Sequence, residues 1–95
     1  MKSKKIRDSA RGEDCSLRLP GCRNDIETVV GCHIPGTGEK GVGLKAPDIF
    51  IVYGCNHCHD IIDGRKPGDW SFKDIVRALA ETQLKLVRKG ILVVK

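Results

Sequence analysis

The sequence predicts a small α+β domain, and two apolar segments and two helical patterns support this class. Residues 27–34 and 48–53 are rich in β-branched and apolar side chains, which favours two short strands. Residues 55–63 precede a glycine and a proline and predict a short helix. The glycine-rich residues 36–43 predict a loop between the strands.

The C-terminal part predicts a long helix that flanks this unit. Ser71 to Asp74 resembles a capping box, and Gly90 supplies a stop signal. The apolar residues between them repeat at helical spacing and predict one stripe that faces the core. That predicted stripe contains Phe72, Ile75, Val76, Leu79, Leu84, Leu86 and Val87.

Composition indicates that the apolar core needs support. The chain has 95 residues with one Trp, one Tyr and two Phe. A domain of this size buries only part of its apolar surface, so a bound metal is a plausible staple.

The cysteine spacing predicts what that staple is. Cys15 and Cys22 are separated by six residues that include a Pro-Gly turn, and Cys55 and Cys58 by two. Close pairs of thiolates suit tetrahedral Zn²⁺. Ordinary buried cysteines are the alternative. The basic start is not followed by an apolar leader segment, so we expect a cytoplasmic protein with reduced thiols and no membrane association.

Charge divides the chain into two parts. The formal net charge is +5, and we assign residues 1–12 to a basic N-terminal arm and residues 13–95 to the folded domain. Excess positive charge favours a polyanion such as DNA, although a solvated tail is the simpler alternative for the arm. The candidate nucleic-acid-binding residues are Lys4, Lys5, Arg7, Arg11, Arg65 and Lys66.

Two histidines are the candidate chemical residues. His33 lies near the end of the first predicted strand, and His59 follows the second cysteine pair on the short helix. If two imidazoles lie close together, one can activate water while the other binds a divalent cation. Either histidine alone could equally be structural or an additional zinc ligand.

The order of these motifs resembles the HNH, or ββα-metal, endonucleases. The motifs are Ala10-Arg11-Gly12, Cys15, Pro20-Gly21-Cys22, His33-Ile34, Pro47-Asp48-Ile49 and Cys58-His59-Asp60-x2-Asp63. Within that superfamily the chain is most similar to the small prophage-encoded YbcO-like nucleases, over residues 10–63.

This resemblance implies a ββα-metal fold and a role for each matching residue. His33 is the expected general base, and His59 the expected ligand of a catalytic Mg²⁺ or other divalent cation. Asp63 would complete the shell of that cation. Asp48 is the nearest candidate for the middle residue of the HNH pattern, because no Asn lies between His33 and Cys55. Cys32 is either a packed thiol or a further ligand.

The sequence therefore predicts a metal-dependent endonuclease that hydrolyses DNA and is encoded by a phage or prophage. The alternative is a non-catalytic zinc module that docks on nucleic acid or on a recombination or replication protein. The two functions are distinguished by the surroundings of the histidines. Only the endonuclease requires Asp48 and Asp63 to lie close to His33 and His59.

Overall fold

The computed structural model describes residues 2–37 and 46–95. Residues 38–45, which include most of the glycine-rich loop predicted at residues 36–43, lie outside the described residues. The described elements are helix α1 (Lys4–Asp8), a 3-10 turn (Ile26–Thr28), strands β1 (Val30–His33) and β2 (Ile51–Gly54), and helices α2 (Asn56–Ile62) and α3 (Phe72–Arg88).

The strands β1 and β2 form an antiparallel two-stranded sheet, and α2 follows β2 directly. His33 pairs with Ile51, and Val30 pairs with Gly54. The predicted α+β class is therefore confirmed, in the chain order β–β–α with α3 at the C-terminal side. The register places His33 at the end of the sheet where β2 begins.

Both strands are shorter than predicted, because turns use part of each apolar segment. The first segment begins with the 3-10 turn, whose Thr28 hydroxyl accepts a hydrogen bond from the Asn56 N–H at 3.0 Å. In the second segment the Phe50 N–H donates to the Pro47 carbonyl at 2.9 Å. This turn withdraws Asp48 from the strand.

The core is built around β2, whose four residues are all buried. Helix α3 covers the strand with Ile75, Ala78 and Leu86. The buried Thr82 hydroxyl accepts a hydrogen bond from the Tyr53 N–H at 3.1 Å. An apolar side chain in place of Thr82 would leave the buried Tyr53 N–H without this hydrogen bond. This explains why a threonine lies inside the core.

The prediction of a single inward stripe on α3 is wrong for four of its seven residues. Phe72, Val76, Leu84 and Val87 are exposed, and the buried arc comprises Ile75, Ala78, Thr82 and Leu86. The buried residues follow helical spacing, and the four exposed ones follow it on another side of the same helix. Helix α3 therefore has two apolar faces.

The segment assigned to the basic arm contains a helix that packs on the sheet. Ile6 of α1 is buried, and Ala10 is fully buried. The Ser9 hydroxyl lies 2.7 Å from the Tyr53 hydroxyl, inside the core. This part of the chain is consequently integrated with β1 and β2, and Lys4 and Lys5 lie on a helix rather than on a free tail.

No helix in the described residues, 2–37 and 46–95, is long and apolar enough to cross a membrane.

We predict that Ile6→Ala lowers the free energy of unfolding by about 2–5 kcal/mol, because it leaves a cavity under α1. Lys5→Ala is the matched control on the same helix, where the side chain is exposed, and should change stability by less than about 0.5 kcal/mol. Urea unfolding of zinc-loaded protein measures both. Equal effects from the two variants would mean that α1 is detached in solution.

Candidate metal centre and active site

A tight turn between Cys15 and Cys22 brings the first cysteine pair together. The Cys22 N–H donates to the Leu19 carbonyl at 2.9 Å, with Pro20 and Gly21 at the centre of the turn. Gly21 has a φ of 87°, which a side chain would oppose. A Cβ there would also lie 2.9 Å from Nε2 of His57. The Pro-Gly pair thus shapes the turn at residues 15–22 that carries these two thiols, which we call the knuckle.

The four cysteines predicted to hold zinc converge in the structure. The Sγ atoms of Cys15, Cys22, Cys55 and Cys58 all lie within 4.8 Å of one another. The sulfurs of Cys22 and Cys55 are 3.7 Å apart, although the two residues are 33 positions apart in the chain. Tetrahedral zinc with bonds of about 2.3 Å places its sulfurs about 3.8 Å apart. The donor set therefore fits a metal ion such as zinc.

Burial keeps part of this cluster protonated until a metal arrives. Burial raises the pKa of Cys58 well above the usual thiol range, and a negative charge on Cys15 adds to the effect. A metal replaces the thiol protons and cancels the repulsion among the four sulfurs. Metal loading should therefore release protons and weaken as the pH falls.

Cys32, the fifth cysteine, lies outside the cluster. Its fully buried thiol is 3.8 Å from the Gly54 carbonyl oxygen, and burial raises its pKa far above the ordinary value. These surroundings fit the packed-thiol alternative.

Two arginines connect the knuckle to α3, and no pattern in the sequence indicates either contact. Arg18 donates to both carboxylate oxygens of Glu81, at 2.7 and 2.6 Å. Arg77 donates to the carbonyls of Ser16 and Leu17. A bidentate arginine–carboxylate pair fixes geometry more tightly than a single contact. The long helix therefore supports the cysteine cluster from outside.

His57 braces the other side of the knuckle. Its Nε2 lies 2.9 Å from the Pro20 carbonyl oxygen, so Nε2 carries the hydrogen. The remaining nitrogen, Nδ1, then accepts from the Lys66 ammonium at 2.6 Å. Lys66, a candidate nucleic-acid contact, is thereby held beside the knuckle.

His33 contacts Asp48, as the catalytic hypothesis requires. Nε2 of His33 lies 2.8 Å from Oδ1 of Asp48. The imidazole is one-third exposed while the carboxylate is nearly buried, at 33% and 6% of the side chain. Water can therefore reach the His33 ring, and Asp48 binds the ring from its buried side.

Helix α1 supplies the partners that keep Asp48 ionised. Burial acts to raise the pKa of Asp48, but the Ser3 N–H, His33 and Arg7 together hold the pKa below its ordinary value of 3.8. The Ser3 N–H donates to Oδ2 at 2.5 Å, and Nε of Arg7 lies 3.4 Å from the same oxygen. The ionised carboxylate has no proton to donate, so Nε2 of His33 carries the hydrogen, and in a neutral imidazole the lone pair is then on Nδ1.

His59 contacts Asp63 one helical turn later. Nε2 of His59 lies 3.0 Å from Oδ2 of Asp63, and Nη2 of Arg65 reaches the same oxygen at 3.0 Å. Adjacent ligands of an octahedral Mg²⁺ are also about 3 Å apart. Within the described chain, neither histidine–carboxylate pair has a third His, Cys, Asp or Glu ligand close enough to complete a metal group.

The remaining candidate DNA contacts are surface cations, several of which have acidic neighbours. Lys4 and Arg11 both approach Asp8, at 2.8 and 3.9 Å. Arg65 also approaches Asp60, at 3.3 Å. Exposed pairs of this kind are weak and leave the cations able to exchange partners.

The fold and the cysteine cluster define a class: a small α+β protein whose four convergent cysteines can hold a metal ion such as zinc. Residues 4–90 match the family described as "Putative nuclease YbcO", and the chain belongs to this family. The family description and the names of its relatives support an enzyme that acts on nucleic acid.

Relatives occur in a bacterium and in a phage. The chain is 35% identical over 91 residues to "Putative nuclease YbcO" of Escherichia coli strain K12, covering 92% of this chain and 95% of the relative. The same values hold for "Putative nuclease ybcO" of Enterobacteria phage 82.

A solved structure from E. coli strain K-12 substrain MG1655, described as that of "a putative bacteriophage protein", is also similar. It superposes with a TM-score of 0.71 at 30% identity, over 90% of this chain and 100% of that one. These comparisons confirm the YbcO-like resemblance and the link to phage; membership of the HNH superfamily stays a prediction.

We predict about one Zn²⁺ per chain in protein purified without chelators, and loss of metal and fold together in Cys58→Ser, because one missing thiolate opens the tetrahedral site. Cys32→Ala is the control, since this buried cysteine lies outside the cluster, and it should retain the metal. Elemental analysis with circular dichroism measures both variants. A metal-free wild type that melts cooperatively would contradict the prediction.

Proposed function

We propose that the protein is a metal-dependent endonuclease of the HNH class that hydrolyses phosphodiester bonds of DNA. The observation that carries the proposal is the His33–Asp48 pair. An accessible imidazole at the end of β1 is held by a buried ionised carboxylate, within a β–β–α unit that carries two of the four clustered cysteines. Membership of a family of nucleases by name supports the same reaction class.

His33 acts as the general base through Nδ1. Its Nε2–H donates to Asp48, which orients the ring and stabilises the positive charge that the imidazole gains. Nδ1 takes one proton from a water molecule as the water oxygen forms a bond to phosphorus. The bond from phosphorus to the leaving sugar oxygen breaks, and that oxygen takes a proton from solvent. The products are a phosphomonoester and a sugar hydroxyl, and His33 then releases its proton to solvent.

Asp48 is a positioning residue in this scheme. It touches His33 rather than the substrate, and it is held on its other side by Ser3 and Arg7. In this way α1 helps to orient the imidazole ring of His33 through Asp48, although no residue of α1 takes the proton.

His59 and Asp63 are the residues that would hold the catalytic divalent cation, consistent with their 3.0 Å separation. When bound, such a cation stabilises negative charge on the phosphate and the leaving oxygen. Mg²⁺ usually keeps several waters and takes further ligands from substrate phosphates, so two protein ligands suffice for a weak site. Arg65 would have to move off the Asp63 oxygen, or share it.

The second candidate is the non-catalytic zinc module. It is favoured by one observation: in the described part of the chain, the cysteine cluster is the metal group with a complete ligand set. This candidate predicts DNA or protein binding without cleavage. A plasmid assay with added Mg²⁺ or Mn²⁺ separates the two functions.

We predict that His33→Ala abolishes plasmid nicking while zinc content and melting temperature stay near those of wild type, because His33 lies outside the cysteine cluster. Asp48→Asn should keep a side chain of the same size and lower the rate about 10²–10⁴-fold, since the ring loses its orienting charge.

His59→Ala provides the contrast for these two variants. It should need far more divalent cation for the same rate, whereas His33→Ala should not recover at any concentration of cation. If His33→Ala cleaves as fast as wild type, His33 is not the base. No cleavage by wild type with any divalent cation would favour the non-catalytic module.

We also predict that the surface cations contribute through salt-dependent phosphate contacts. The double variant Lys4→Ala and Lys5→Ala should reduce the slope of log affinity against log salt by up to about 2, because each lost phosphate contact removes about 0.9. Lys95→Ala is the control, at an exposed position far along the chain. An unchanged slope in the double variant would assign these lysines to solubility.

A further inference from the structure

The outer face of α3 is an exposed apolar ridge, and at its start Trp70 and Phe72 are in edge-to-face contact, with the ring centroids 6.0 Å apart. Phe72, Val76 and Leu84 are 73%, 65% and 55% exposed, and Val87 is exposed as well. Ala80 is the fifth exposed residue of the series. Contiguous exposed apolar surface marks an interaction site more often than isolated exposed residues do.

The spacing makes these five residues one continuous surface, which we call the outer ridge. Phe72, Val76, Ala80 and Leu84 follow one another at four-residue intervals, and Val87 comes three residues later. Residues at these spacings lie side by side along a helix. Helix α3 has 17 residues, so it is about 25 Å long, and the ridge runs along nearly all of it.

The order of side chains along the outer ridge is nearly symmetric about Ala80. Val76 and Leu84 lie four residues before and after it, and Phe72 and Val87 lie eight before and seven after. The smallest side chain thus occupies the centre, where two crossing helices approach most closely. A surface of this kind is complementary to itself about a two-fold axis, as an isologous interface requires.

Charge selects the orientation of such a pair. The exposed cations beside the ridge are Lys73 and Arg88, whereas Arg77 is held by the carbonyls of Ser16 and Leu17. The carboxylates of α3 are also engaged: Asp74 accepts from the Ser71 N–H and Glu81 pairs with Arg18. A parallel pair would set each cation against its own copy. In an antiparallel pair centred on Ala80, Lys73 opposes Val87.

The last cation is also accommodated in the antiparallel arrangement. Arg88 lies eight residues after Ala80 and therefore opposes Phe72, an aromatic ring that can accept a cation on its face. No cation meets another directly. An acidic partner protein would suit the cations equally well, but the near-palindromic apolar order favours a second copy.

We propose that the outer ridge of α3 is a homodimer interface, in which the α3 helices of two copies pack antiparallel across a two-fold axis at Ala80. One pair of helices of this length buries less surface than the roughly 1,600 Å² of a standard interface. We therefore expect a dissociation constant in the micromolar range or weaker. The proposal does not rest on the nuclease function.

Sedimentation equilibrium of the zinc-loaded full chain, without nucleic acid, tests the interface. Wild type at about 1 μM to about 1 mM should shift from monomer to dimer. Val76→Glu and Leu84→Lys should each weaken dimerisation at least about tenfold, because a charge would be buried opposite an apolar side chain. Ile26→Glu is the control at an exposed apolar site outside α3, and it should dimerise like wild type.

The two single variants also test the antiparallel orientation. Position 76 of one copy faces position 84 of the other, so an equimolar mixture of Val76→Glu and Leu84→Lys should form a heterodimer. The double variant should regain self-association. Circular dichroism and zinc content confirm that each variant is folded.

Three results would overturn the proposal. The first is a wild type that stays monomeric over the whole range, and the second is a Val76→Glu protein that dimerises like wild type. The third is a double variant and a mixture that both remain monomeric, which would exclude antiparallel pairing of two copies and favour a different partner.

Discussion

The convergence of four cysteines is the constraint on which the rest of this structure depends. Two thiols come from the Pro20-Gly21 knuckle and two from the start of α2, so the cluster joins segments that are far apart in the chain. The cluster holds the knuckle against the start of α2, which follows β2 directly in the chain. A two-stranded sheet alone is marginal in water, which makes such a link important in a domain with few aromatic residues.

Two sets of contacts outside the cluster connect the knuckle to the rest of the protein. On one side, Arg18 and Arg77 hold the knuckle against α3. On the other, His57 connects the Pro20 carbonyl to Lys66. The same knuckle thus contacts the long helix α3, which covers the core, and holds the exposed Lys66 in place through His57. A variant at the cysteines would therefore disturb both the core and the proposed DNA contacts.

Helix α1 links the N-terminal segment to the proposed active site. Its Ser3 hydroxyl accepts from the Ile6 N–H at 3.3 Å and caps the helix, while the Ser3 N–H donates to Asp48. Arg7 adds a positive charge beside the same carboxylate. The segment that charge alone assigns to DNA binding therefore has a structural role as well, because it holds the partner of His33.

Sequence by itself determined the features that depend on local spacing: the α+β class, the order of the two strands and of the helices α2 and α3, the two cysteine pairs and the capped C-terminal helix. These follow from periodicity and ligand chemistry, which act over a few residues. Tertiary structure decided which arc of α3 is buried, because its apolar residues cover two sides of the helix. It also decided that Ile6 anchors the basic segment and that Asp48 meets His33, since both contacts join residues whose proximity only the folded chain creates.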